Sequence, residues 1–199
     1  MRGIEQEHDR ECDIASRSIL AHWRSGQWQN NFISKDIALN NSAHTFPSPD
    51  QCFYSESKKT LVALEFKPAV RETKRGILTG LGQTIAYLRD NSNSASVLVI
   101  PEVIGRDDFK IGNFMKGVFE EQIYEKLPIA LFSFKKTDPS NVVLLCNIGN
   151  NLSPKTEFDK KRTNNTYWAF WREIYPSFNY NLLKIAAEES YFGKDRVHK

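Results

Sequence analysis

The segment that leaves this chain the fewest choices is Thr60–Lys67, TLVALEFK. Its apolar, β-favouring residues read as a buried strand, and Pro68 stops it. The strand ends on charge. Period two puts Leu61, Ala63, Glu65 and Lys67 on one face, with Val62, Leu64 and Phe66 on the other. A carboxylate and an ammonium at the end of a buried strand are partly buried, and such charges are paired or bind metal. Acidic–x–Lys also occurs at Glu56–Lys58, Glu72–Lys74, Asp108–Lys110 and Asp159–Lys161, but there it falls in turns or on exposed helix ends.

Before this strand, Gln51–Ser55 is short and aromatic, and Glu56–Ser57–Lys58–Lys59 is a polar turn, so the pair reads as a hairpin. Folded symmetrically about Ser57 and Lys58, it sets Asp50, which follows Pro49, opposite Glu65. Opposed carboxylates repel, and the arrangement calls for a cation between them or a raised pKa on one. Oxygen ligands of this kind suit Mg²⁺, with Mn²⁺ as a substitute. Lys67 then stands where it can hold an attacking water or stabilise charge on a phosphate. An ordinary hairpin whose Glu–Lys pair is a rim salt bridge is the competing reading.

The rest of the chain supplies the frame. Glu7 to Trp23 is a helix by the spacing of Cys12, Ala15, Ile19 and Trp23, and an extended stretch follows around Phe32 to Leu39. Thr73 to Arg89 is a helix with Ile77, Leu81, Ile85 and Leu88 inward, and Val97 to Ile100 is a buried strand. Gly112 to Leu127 is a second crossover helix with Phe114, Val118 and Ile123 inward, feeding strand Ile129 to Phe134. Asp138–Pro139 turns the chain into strand Val142 to Cys146. Helices at Thr163 to Tyr175 and Tyr180 to Tyr191 end it. This order predicts an α/β (α+β) fold, a mixed central sheet flanked by helices. The core spans residues 1–150, and residues 151–199 form a helical extension packed on the same domain.

Pro49–Asp50 followed by Glu65–Phe66–Lys67 closing an apolar strand resembles the signature of the PD-(D/E)XK nuclease superfamily, which includes restriction endonucleases, Holliday-junction resolvases and repair nucleases. Gln83–Thr84–Ile85–Ala86–Tyr87 on the next helix is similar to the Gln–x–x–x–Tyr motif of one branch, found in motor subunits of type I restriction enzymes and helicase-linked nucleases. The resemblance covers about Glu7 to Pro101. It implies a restriction-endonuclease-like core, divalent metal on Asp50 and Glu65, and a supporting role for Lys67. It also implies a further glutamate from the first helix, for which Glu11 fits best and Glu7 is the fallback. Gln83 would bond near the scissile phosphate, supported by Tyr87. The expected activity is Mg²⁺-dependent DNA endonuclease cleavage. A catalytically inactive DNA-binding module and a repair or resolvase nuclease are the alternatives.

Charge has to be read locally here. The whole chain carries only +3, but Lys58 to Arg75 holds six basic residues (Lys58, Lys59, Lys67, Arg71, Lys74, Arg75) against Glu65 and Glu72. Arg71, Lys74 and Arg75 follow the catalytic strand, where a DNA phosphate needs countercharge. Gly76 and Gly80 lie on the face of Gln83 and Tyr87, where bare backbone suits close approach of DNA or packing on the sheet. A second basic cluster (Lys155, Lys160, Lys161, Arg162) precedes the aromatics of the tail, which read mainly as core. His8, His22, His44 and His198 are scattered without metal-ligand spacing. No stretch spans a membrane and no secretion signal is visible, and three separated cysteines suit a reducing cytoplasm. Homodimerisation, or association with a target-recognition or motor module, is the expected source of specificity.

Overall fold

The computed structural model describes residues 2–28, 30–40, 48–70, 73–88 and 93–154. The two helices expected in the tail, Thr163 to Tyr175 and Tyr180 to Tyr191, lie outside them.

The chain opens with helix α1 (Arg2–Ser25) and then forms β1 (Ala38–Leu39), β2 (Gln51–Ser55) and β3 (Thr60–Phe66). Helix α2 (Lys74–Tyr87) leads to β4 (Ala95–Pro101). Helix α3 (Ile111–Val118), prolonged by a π-helical stretch Phe119–Ile123, leads to β5 (Ile129–Lys135) and β6 (Asp138–Cys146). The six strands make one sheet in chain order. Both hairpins of β1–β2–β3 are antiparallel, β3–β4 and β4–β5 are parallel, and β5–β6 is antiparallel. This is a mixed α/β fold, as the order of elements predicts.

Strand alternation sorts the core into two layers. On one face α1 packs Cys12, Ala15, Ile19 and Trp23 against Phe53, Val62, Leu64, Phe66, Val97, Val99 and Phe132. On the other, Ile77, Leu81 and Ile85 of α2, Leu88 at its C-cap, and Ile111, Met115 and Val118 of α3 cover Leu98, Ile100, Ile129 and Leu131. With both faces covered, β4 is buried along its whole length, which is why it reads as an unbroken apolar run. Among the described residues no helix is long and apolar enough to cross a membrane.

Several sequence expectations change. Only Ala38–Leu39 of the Phe32–Leu39 stretch is strand, because Asn30 Oδ1 takes the Phe32 and Ile33 amides (2.8 and 3.0 Å) into a turn. Asp138–Pro139 lies inside β6, not in a turn. Lys135 pairs with Asp138, and a proline without an N–H is tolerated on a strand that is last in the sheet order. The second crossover helix is α-helical only to Val118 and continues as a π-helical stretch to Ile123, short of Leu127. There the Tyr124 amide reaches back five residues to the Phe119 carbonyl (2.8 Å), an insertion of one residue into the helical turn. Its inward stripe is Ile111, Met115 and Val118, at spacings of four and three, which leaves Phe114 outside the core and 44% exposed.

Candidate active site

The register of the β2–β3 hairpin is the one its turn dictates, with Gln51 opposite Leu64 and Ser55 opposite Thr60. The Asp50 amide, just before β2, also donates to the Leu64 carbonyl (3.0 Å). Asp50 thus sits at the end of β3, close enough for its charge to act on Glu65. Asp50 Oδ2 accepts the Phe66 amide (2.8 Å), tying the start of β2 to the end of β3. The Lys67 amide donates to the Val99 carbonyl of β4 (2.9 Å), so Lys67 leaves the sheet from a fixed position.

Glu65 is 2% exposed. Its Oε1 lies 2.7 Å from Lys67 Nζ, and its Oε2 accepts the Tyr87 hydroxyl. Lys67 Nζ donates to Gln83 Oε1 (2.9 Å). Gln83 and Tyr87 are one turn apart on α2, so a single helical face grips Glu65 of β3 and Lys67 just beyond it. The two sequence motifs thus meet as one network, Gln83–Lys67–Glu65–Tyr87.

Gly80, one turn before Gln83, completes that face. A Cβ there would lie 2.6 Å from Lys67 Cε, 3.1 Å from Lys67 Cγ and 3.1 Å from Leu98 Cδ1. Of the two readings of this glycine, packing is the one realised, since the bare backbone makes room for the Lys67 stem. Tyr87, expected from the sequence as a DNA-contacting residue supporting Gln83, is 0% exposed, and its hydroxyl serves Glu65.

Burial, with Asp50 adding to it, pushes the Glu65 carboxyl up to about 7. Asp50 also rises through burial, against the pull of the Phe66 amide, His8 and Lys67. Both carboxylates are thus short of positive charge, and Lys67 alone does not supply enough. Burial lifts the Cys12 thiol to about 12, with Asp50 and Glu65 contributing, which sets Cys12 of α1 within the field of the pair. All three cysteines are buried and free.

Sequence reasoning missed His8. Its Nε2 donates to the Phe66 carbonyl (3.3 Å) and lies 3.8 Å from Asp50 Oδ2, while Nδ1 faces Asp9 Oδ1 (3.2 Å). Burial opposes its charge, but Asp50 and Asp9 outweigh burial and raise its pKa. The signal was present, because the stripe Cys12–Ala15–Ile19–Trp23 extended back one turn lands on His8. Glu11 is buried, with Oε2 lacking a hydrogen-bond partner among the described residues. Burial and Glu7 raise its pKa, and Arg10 and His8 oppose them. The α1 side chain that reaches Asp50 is His8.

The basic residues divide. Lys58 and Lys59 sit in the hairpin turn, with Lys59 paired to Glu56. Five strand pairs separate that turn from Asp50 and Glu65, roughly 17 Å at the usual rise. Lys74 and Arg75 are exposed at the start of α2, which follows the end of β3 that carries Glu65. Arg71 lies outside the described residues. Among those residues no three His, Cys, Asp or Glu side chains converge closely enough to hold a metal ion by themselves. Neither a protein-family model nor a curated protein matches the chain.

Proposed function

We propose that this chain is a restriction-endonuclease-like nuclease module of the PD-(D/E)XK type, hydrolysing phosphodiester bonds of DNA with Mg²⁺. The observation that carries the reading is the network Gln83–Lys67–Glu65–Tyr87 with Asp50 tied to the end of β3 through the Phe66 amide. A rim salt bridge would need neither burial of Glu65 nor a glycine shaped around the lysine stem.

The donor set fits a small hard cation held by two carboxylates and completed by water and substrate oxygens. A carboxylate offers about four lone-pair sites. Glu65 spends two on Lys67 and Tyr87. The hydrogen bond and the ion pair of Asp50 both fall on Oδ2. When bound, the divalent cation lowers the pKa of coordinated water and neutralises phosphate charge. Tyr87 fixes the Glu65 carboxylate, and Gln83 fixes Lys67 beside it. From that position Lys67 stabilises charge developing on the phosphate. The Phe66 amide and His8 hold Asp50 at the strand end. Lys74 and Arg75 supply sequence-independent attraction for the backbone.

The proposed setting is the cytoplasm, where three buried free thiols persist. Sequence specificity then comes from a second copy or from a target-recognition or motor module.

The test is relaxation or linearisation of supercoiled plasmid in Mg²⁺ or Mn²⁺, with chelator as control. Wild type is expected to cut only with metal, and Asp50→Ala not at all. Equal cutting by both proteins would remove Asp50 from the site. Metal-independent DNA binding without cleavage would show a module that kept the fold and lost the chemistry.

A further inference from the structure

The last turn of α2 is held by two buried side chains that stand outside the Gln83–Lys67–Glu65–Tyr87 network. Asn93, before β4, and Ser96, on β4, are both 0% exposed. Asn93 Nδ2 donates to the Tyr87 carbonyl (3.1 Å), and Ser96 Oγ donates to the Thr84 carbonyl (2.9 Å). Both acceptors belong to the end of the helix, where carbonyls run out of intrahelical partners. Asn93 is a costly residue for this position. Its Oδ1 is buried with no hydrogen-bond partner among the described residues, a penalty that an apolar side chain would avoid. What the amide supplies in return is the donor on Tyr87.

The two anchors are themselves fixed. The Ser94 amide donates to the Leu61 carbonyl of β3 (2.8 Å), and Ser96 stands beside Ala63 in the β3–β4 ladder. The constraint therefore closes on itself. β3 places the start of β4, and Asn93 and Ser96 hold the last turn of α2. The helix in turn brings Gln83 to Lys67 and Tyr87 back to Glu65 of β3. Ile77, Leu81 and Ile85 of α2 meet Leu98 and Ile100 by apolar contact, which has no direction of its own. A slide of the helix by one residue is about 1.5 Å, enough to break the 2.9 Å bond from Lys67 to Gln83.

We propose that Asn93 and Ser96 are positioning residues of the Asp50–Glu65 site, setting α2 along the sheet so that Tyr87 meets Glu65 and Gln83 meets Lys67. Asn93 acts through Tyr87, and Ser96 through Thr84 in the same turn. This inference rests on the nuclease reading for the purpose of the network, but its test does not depend on cleavage.

The experiment compares wild type with Asn93→Leu, Ser96→Ala and Tyr87→Phe, alone and with Tyr87→Phe added to each anchor variant. Mn²⁺ affinity at pH 8 is read by loss of the free-ion electron paramagnetic signal. Each single variant is expected to bind Mn²⁺ about tenfold more weakly. Each double variant is expected to fall well short of the product of its two losses. Ile19→Val, a core change on the α1 side of the sheet, lowers stability and is expected to leave Mn²⁺ affinity unchanged. Anchor variants that bind Mn²⁺ like wild type overturn the proposal, as do losses that multiply in full. Urea midpoints in chelator give the same cycle whether or not Mn²⁺ binds. Tyr87→Phe is expected to lower the midpoint of wild type and to lower that of Asn93→Leu much less, because the hydroxyl has already left Glu65 there. Equal decrements overturn the proposal. A wild type that shows the urea coupling but cuts no plasmid refutes the nuclease reading and leaves the positioning standing. Plasmid cleavage at an undiminished rate by Asn93→Leu and Ser96→Ala does the reverse.

Discussion

Lys67→Ala is expected to lower Mg²⁺-dependent plasmid cleavage by about 10²–10³-fold and to destabilise the protein by about 3 kcal/mol or more. Both effects come from one position. Its ammonium is the positive charge in contact with Glu65, whose side chain is 3% exposed. Removing one partner of a buried pair leaves the other charge uncompensated. Stability alone therefore cannot separate a catalytic lysine from a structural one. Gly80→Ala can. Alanine is the better helix former by about 1 kcal/mol, which offsets much of the crowding, and the atom it meets at 2.6 Å belongs to a flexible side chain. Lys67 must swing aside from Glu65 and Gln83. Gly80→Ala is thus expected to unfold within about 1 kcal/mol of wild type yet to lose cleavage by about 10- to 100-fold. Urea denaturation and initial cleavage rates on the same preparations decide this. Full activity in Gly80→Ala would mean that the position of Lys67 does not matter.

Stability of the metal-free protein is expected to fall as pH rises from 4.5 towards 7. Glu65 titrates at its ordinary 4.5 in the unfolded chain and at about 7 in the fold, so through this window the fold holds a proton that the unfolded chain has lost. The folded state is favoured while both are protonated and loses ground once Glu65 must ionise among buried neighbours. The difference corresponds to about 3 kcal/mol. Asp50, likewise raised, pushes in the same direction. The His8 contribution also acts in this sense, because a raised imidazole pKa stabilises at low pH and ceases to as pH rises through it. Mg²⁺ should cancel the loss, with little effect at pH 5 and a growing one by pH 8, since its ligands must be deprotonated. Urea midpoints across pH with and without Mg²⁺ measure this. In Glu65→Gln the decline between pH 4.5 and 7 should shrink. A decline of wild-type size in that variant would assign the titration to another group.

Much of the site is legible before any coordinates because it is local. Hairpin register follows from a short polar turn between strands of known extent, and this brings the start of β2, next to Asp50, to the end of β3 that carries Glu65. Gln83 and Tyr87 share a face by helical spacing alone. What the sequence does not disclose is how far α2 slides along β3. That slide decides that Gly80 meets the lysine stem and that Tyr87 is sealed under Glu65, away from solvent. Metal-ligand spacing gives no signal for His8, whereas its place one turn before Cys12 on the α1 stripe does. Phe114 is the opposite case. Its spacing fits an inward stripe, but Ile111, Met115 and Val118 form the stripe that packs, and it excludes Phe114. The summed charge of Lys58 to Arg75 also concealed geometry, since a hairpin carries its turn lysines to the far end from its carboxylates.

The account stands on Asp50 and Glu65 sharing one divalent cation. Titration of Mn²⁺ into wild type, Asp50→Asn and Glu65→Gln at pH 8, read by calorimetry or by loss of the free-ion electron paramagnetic signal, tests this most directly. The predicted result is one site in wild type, weakened by tenfold or more in each variant. Equal binding by all three proteins, or none by any, would contradict it.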